Sequence, residues 1–231
     1  GEVPGAIVLS RWFNRSIGFE SMRILAIDPV RPDKAILQEA AGVIRDGGLV
    51  AFPTETVYGI GADGTNPAAI RRIYDAKGRD ETKPILVLVS RRQDLDRLVR
   101  HIPGRVHALM DACWPGPLTL VFPALDSVPR ELLGGGSTIG VRHSGAAIAG
   151  HLCRAVGGPV TAPSANRSGD PEPITAEDVA LRLGGRVDLI LDGGRSPSDQ
   201  PSTVVDVSAG PPRLIRAGCI PFDRVTEAWR Q

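Results

Sequence analysis

Short apolar runs and segments of helical period take turns along this chain from residue 22 to residue 216, and that alternation restricts it to the α/β class. The apolar runs fall at 22–28, 49–52, 84–89, 118–123, 137–142, 158–162, 187–192, 202–207 and 213–216. After the first of them, Asp33 caps a helix in which Ile36, Leu37, Ala40, Val43 and Ile44 recur at helical spacing until Gly47-Gly48 stops it. Further helices are expected near 93–100, near 104–112, across 145–156 and across 175–183. The last three runs follow one another with no helix between them. The expectation is therefore one extended sheet of mixed rather than purely parallel strands.

The length of 231 residues suits a single domain spanning 22–231. Residues 1–21 show no steady period and read as an over-extended start or a remnant of cloning, outside the fold. No stretch approaches the ~20 apolar residues of a membrane span, so no membrane partner is expected. Cys113, Cys153 and Cys219 are odd in number and far apart, which argues against a disulfide framework and for a reducing cytoplasm. His101, His107, His143 and His151 form no HExxH pattern and have no cysteine at ligand spacing, so no structural metal is expected.

The stretch VAFPTETVYGIGADG, 50–64, contains Gly59-x-Gly61-x-x-Gly64, the letter pattern of a dinucleotide loop. Such a loop needs its helix to begin among the glycines and an acidic residue about 20 positions on. Here Asn66 and Pro67 are N-cap and first position of a helix that starts after the third glycine, and the next apolar run ends in Ser90-Arg91-Arg92 with no carboxylate. A dinucleotide fold is thereby disfavoured. In that helix Ile70, Ile73 and Tyr74 form the buried stripe, and Lys77 falls on the same face. Gly78 ends the helix and Arg79 follows in the turn, so two cations are expected side by side on an inward edge, where only an anion between them relieves their repulsion.

FPTETVYGIGAD, AKGR, WPGPLTLVF, STIGVRH, TAPSANRSG, LDGG, STVVDV and LIRAG occur here in the order and rough spacing of the YrdC-like family, which the chain resembles over about residues 24–220. The family's active members are threonylcarbamoyl-AMP synthases. The resemblance implies a twisted mixed sheet with flanking helices around a concave basic cavity. It implies a nucleotidyl transfer in which L-threonine, bicarbonate and ATP, with Mg2+, give threonylcarbamoyl-AMP and pyrophosphate. The product would pass to a separate tRNA threonylcarbamoyl transferase. Lys77, Arg79, Ser164 and Asn166, the KxR and SxN pairs, stand as the catalytic set. Arg79, Lys83, Thr138, Ser164 and Arg216 are expected on ATP, and Thr56, Arg142, Ala162 and Ser202 on threonine. Thr138 and Arg142, four apart on one strand, share a face, and so do Ser164 and Asn166, two apart in an extended loop.

Three positions depart from the family pattern: Lys83 stands where asparagine is common, Leu88 where a histidine can contact threonine, and Glu172 where a small hydroxyl often touches ATP. Ending soon after Gly218, the sequence resembles the minimal form without an extra C-terminal domain. Two other classes are compatible with the sequence: a carbamoyl-transfer enzyme with another acceptor, and a double-stranded RNA-binding module. A net charge of +1 and 4% aromatic residues leave little for phosphate contacts or base stacking, so RNA binding is expected to be weak.

Overall fold

A computed structural model of the protein describes residues 22–231, and the expectation about residues 1–21 lies outside them. In chain order the elements are β1 (Arg23–Ala26), α1 (Lys34–Arg45), β2 (Val50–Phe52), β3 (Gly59–Gly61), α2 (Pro67–Lys77), β4 (Val87–Leu88), α3 (Val106–Cys113) and β5 (Leu118–Pro123). There follow α4 (Arg130–Leu133), β6 (Thr138–Arg142), α5 (Ala147–Val156), β7 (Val160–Thr161), α6 (Ala176–Leu183), β8 (Leu189–Asp192), β9 (Thr203–Asp206), β10 (Arg213–Arg216) and α7 (Phe222–Arg230). No helix among the described residues is long and apolar enough to cross a membrane.

The expected single sheet is divided in two: four strands in the order β1-β8-β2-β3 and six in the order β10-β9-β5-β6-β4-β7. Both are mixed. β8 runs parallel to β1 and β2 while β3 is antiparallel to β2; β5 is parallel to β9 and antiparallel to β6. The last three strands therefore part company, β8 entering the first sheet and β9 and β10 the second. The division lies between β3 and β7, where only the bridges Gly59↔Ser164 and Asp63↔Val160 remain. Between them the Thr161 hydroxyl takes the place of backbone groups, accepting from the N–H of Ala62 at 2.8 Å and donating to the carbonyl of Ile60 at 2.9 Å. Pro163, with no N–H, cannot extend the ladder.

Local chemistry explains the helices. Asp33 accepts from the N–H groups of Ala35 and Ile36, and the stripe Leu37, Ala40, Ala41 and Ile44 of α1 packs on Ile148 and Leu152 of α5 over the first sheet. Asn66 accepts from the N–H groups of Ala68 and Ala69 and Pro67 occupies the first helical turn. Replacing Asn66 with alanine leaves those donors without the cap and is expected to cost about 1 kcal/mol, read as a lower urea midpoint at unchanged slope. The glycines of 59–64 serve packing: a Cβ on Gly61 would stand 2.8 Å from the Phe52 ring, and one on Gly64 2.9 Å from the Pro159 carbonyl.

Several elements differ from expectation, among them β3, a strand that no apolar run announced. Residues Arg92–Arg97 form a 3-10 turn instead of an α-helix over 93–100, because Val99 leaves to bridge Ala124 and too few residues remain for a stable α-helix. The four-residue α4 is too short to show a period. The helix α7 carries Phe222, Val225 and Trp229 at spacings of three and four, a pattern present in the sequence that would have revealed it, and it packs beside α3.

Candidate active site

One face of the second sheet forms the floor of a cavity of about 350 Å3. Alternate residues of its strands supply that floor: Thr119 and Val121 from β5, Thr138, Gly140 and Arg142 from β6, Val204 from β9. The segment after β2 contributes Thr54, Thr56 and Val57, the turn after α2 contributes Arg79, Lys83 and Pro84, and the loop after β7 contributes Ala162, Pro163 and Ser164. Ser202 and Arg216 close the far side. Ile215 lines the cavity as well as Arg216, although neighbours on a strand ordinarily face opposite ways; the register shift between Leu214 and Arg216 on this edge strand turns both inward.

Thr56, Arg79, Lys83, Thr138, Arg142, Ala162, Ser164, Ser202 and Arg216 are thus brought to one cavity. Lys77 and Asn166 are not on its wall. Lys77 is 2% exposed and gives its three donors to the Ser164 carbonyl at 2.5 Å, the Asn166 carbonyl at 2.7 Å and Asn166 Oδ1 at 3.0 Å. Ser164 and Asn166 do share a face, the Ser164 hydroxyl donating to Asn166 Oδ1 at 2.7 Å, but of the two only Ser164 lines the cavity. The expected side-by-side pair of cations is corrected accordingly: Lys77 braces the Ser164–Asn166 loop from behind while Arg79 alone reaches the cavity. Burial, and then the charge of Arg79, pushes the Lys77 ammonium down to about 8.

Among the described residues the wall carries four cations, Arg79, Lys83, Arg142 and Arg216, and no carboxylate. Arg79 follows Gly78, whose φ of 57° ends α2 in the left-handed conformation, and is anchored by donating Nη2 to the Pro84 carbonyl at 3.0 Å. Burial pushes the Arg216 guanidinium below its ordinary value, Glu172 opposes this, and Arg142 and Arg79 push it down further. Three guanidiniums that feel one another across a partly desolvated space are stabilised by any anion entering it.

Arg142 is the most deeply placed of them, its side chain 4% exposed. Nη1 donates to the Thr56 hydroxyl at 3.2 Å, Nη2 lies 3.9 Å from Glu55 Oε2, and Nε has no partner. Burial pushes its guanidinium down and Glu55 opposes that. A buried fork with unspent donors is a receptor for a carboxylate. On the neighbouring strand, one residue beyond the Leu120–Val141 pair and so at the level of Arg142, the Thr119 hydroxyl pairs with the Ser202 hydroxyl at 2.8 Å, which accepts from Arg216 Nη2 at 3.1 Å, and Arg216 also donates to the Ser202 carbonyl at 2.8 Å.

Of the three departures, Lys83 lines the cavity, whereas Leu88 is fully buried in the core and Leu86 occupies the wall instead. Glu172 does not line it, and its Oε2 is buried without a partner. Reasoning from the sequence missed Thr54, Leu86, Thr119, Val121, Gly140 and Val204. The two-residue period of β5, β6 and β9, counted from Thr138 and Ser202, would have found several of them.

A family model for Sua5, YciO and YrdC proteins, described as "Telomere recombination", matches residues 42–218. Among curated proteins, the threonylcarbamoyl-AMP synthase of Pyrococcus abyssi is 43% identical over 80% of this chain and 55% of its own length. That of Thiobacillus denitrificans is 38% identical over 75% of this chain and 91% of its own length. The crystal structure of P. abyssi Sua5 complexed with L-threonine superposes with a TM-score of 0.86 at 40% identity, covering 89% of this chain and 60% of that one. The chain thus spans little more than half of the Pyrococcus protein and nearly all of the Thiobacillus one. With the match running through the cavity-lining segments from β2 to β10, this chain belongs to the Sua5/YciO/YrdC family.

Proposed function

We propose that the chain is an L-threonylcarbamoyladenylate synthase, a nucleotidyltransferase that joins L-threonine, bicarbonate and ATP into threonylcarbamoyl-AMP and releases pyrophosphate. The observation that carries this reading is the cavity wall itself: four cations without a carboxylate, with a buried, underbonded guanidinium at one end. The Pyrococcus relative crystallised with L-threonine supports the choice of amino acid. Arg142 with Thr56 receives the threonine carboxylate, and the Ala162 backbone and Ser202 complete that subsite. Threonine's amine and bicarbonate form a carbamate with loss of water. A carbamate oxygen attacks the α-phosphorus of ATP, and the bond to the β-phosphate oxygen breaks.

Holding these anions together replaces a costly encounter in solution with a single oriented complex. Arg79, Lys83 and Arg216 neutralise the triphosphate and the departing pyrophosphate, and Thr138 and Ser164 orient the nucleotide. Mg2+ carried by the ATP phosphates would supply further shielding of their charge. Lys77 and Asn166 act through the loop they brace. A cytoplasmic tRNA threonylcarbamoyl transferase consumes the product. Pyrophosphate release measured with ATP, Mg2+, threonine and bicarbonate, each omitted in turn, tests the reading: release that persists without threonine or bicarbonate refutes it.

Ser202 is assigned to the threonine subsite and is bonded to Arg216, so Ser202→Ala is expected to raise the KM for threonine and, through the slackened Arg216, the KM for ATP. The loss of one hydrogen bond in each case corresponds to about 1 kcal/mol, a factor of about five. Steady-state titration of each substrate at saturation of the others checks it; an ATP KM that does not move would disconnect Arg216 from nucleotide binding.

A further inference from the structure

Arg142, buried, and Glu55, its side chain 19% exposed, are opposite charges that do not close. Their nearest atoms stand 3.9 Å apart, beyond hydrogen-bond range, and each side chain keeps an unpartnered buried atom, Nε of Arg142 and Oε1 of Glu55. An arginine and a carboxylate this close ordinarily join in a two-pronged contact at about 2.7–2.9 Å, the arrangement that best offsets the desolvation of both charges. Something holds Glu55 back. Its Oε2 accepts a hydrogen bond from the Ser144 hydroxyl. Ser144 is itself fixed, being 6% exposed, two residues past the end of β6, with its Oγ accepting from the N–H of Ala146 at the start of α5 at 3.2 Å. The one hydroxyl proton must therefore go to the carboxylate.

We propose that Ser144 is a positioning residue of the site: it tethers Glu55 so that the carboxylate balances the charge of Arg142 without occupying the donors that receive the substrate's carboxylate. This rests on the reading of Arg142 as the threonine receptor. It gives the pair a division of labour in which Glu55 keeps a buried guanidinium tolerable and Ser144 keeps it available. Neither residue touches substrate in this account; both act through Arg142.

Removing the tether lets Glu55 swing onto the fork and compete with threonine. Ser144→Ala is expected to raise the threonine KM about tenfold while the ATP KM stays within about twofold. Adding Glu55→Gln replaces the competing anion with a neutral amide, and the double variant is expected to return the threonine KM to within about threefold of the unsubstituted protein. Adding Glu55→Asp instead, whose shorter arm cannot reach the fork, gives a second rescue, so the test survives if one double variant folds poorly. Residues that merely support the fold would show no rescue. The proposal fails if Ser144→Ala leaves the threonine KM unchanged, if it raises the threonine and ATP values together, or if the second substitution deepens the loss. Requirement of the unsubstituted protein for threonine and bicarbonate, measured in the same assay, is a separate outcome that bears on the reaction and not on the tether.

Discussion

Replacing Arg79 with alanine lowers pyrophosphate release about a hundredfold or more at saturating substrates while the melting temperature stays close to that of the unsubstituted protein. The effect comes from preorganisation. Gly78 sets the turn, the N–H of Arg79 donates to the Tyr74 carbonyl at 3.0 Å, and Nη2 is held by the Pro84 carbonyl at 3.0 Å. The guanidinium is thus aimed into the cavity before any ligand arrives, and its free edge is spent on charge that grows as pyrophosphate departs. A loss of about a hundredfold corresponds to about 2.7 kcal/mol of transition-state stabilisation, within the range for one preorganised donor. Arg79→Lys should recover little, because a single ammonium cannot keep the Pro84 anchor and grip two phosphate oxygens together. Near-normal release from Arg79→Ala, still dependent on threonine and bicarbonate, would remove this residue from the mechanism.

Arg142→Ala is expected to raise the KM for threonine by about a hundredfold, again about 2.7 kcal/mol, which is within the range for hydrogen bonds to charged groups. The ATP KM should change by no more than about threefold, because Arg142 bonds Thr56 and stands at the opposite end of β6 from Thr138, which is assigned to the nucleotide. The same substitution leaves Glu55 as an uncompensated, partly buried carboxylate, so a fall in melting temperature accompanies it. Arg142→Ala with Glu55→Gln should regain the melting temperature without regaining threonine affinity, which separates the two effects. Equal rises in the threonine and ATP values would mean that Arg142 serves the whole cavity and not a carboxylate subsite.

Helix boundaries were open to sequence reasoning because their causes are local. Asp33, Asn66 with Pro67, and Gly78 act on backbone groups within a few residues of themselves, and each sits where the structure uses it. The grouping of Thr138 with Arg142 was equally legible, since residues four apart on a strand share a face whatever lies across from them. The dinucleotide pattern could be set aside on the same footing. Its glycines turned out to permit close packing against Phe52 and Pro159, a role that depends on residues distant in the chain and was therefore invisible.

What the sequence determined by itself was the alternation of strand and helix, the points where helices start and stop, and the residue types that gather around the cavity. Only the tertiary structure decided that the strands form two sheets, that Lys77 and Asn166 brace the wall from behind while Arg79 reaches through it, and that Ser202 is bonded to Arg216. It also decided that Ser144 holds Glu55 off Arg142. The physical reason is range: caps and strand faces follow from neighbours within about four residues. The direction in which a buried ammonium spends its donors, or a carboxylate its lone pairs, depends on which segments, here separated by some 80 to 90 positions, fold against each other.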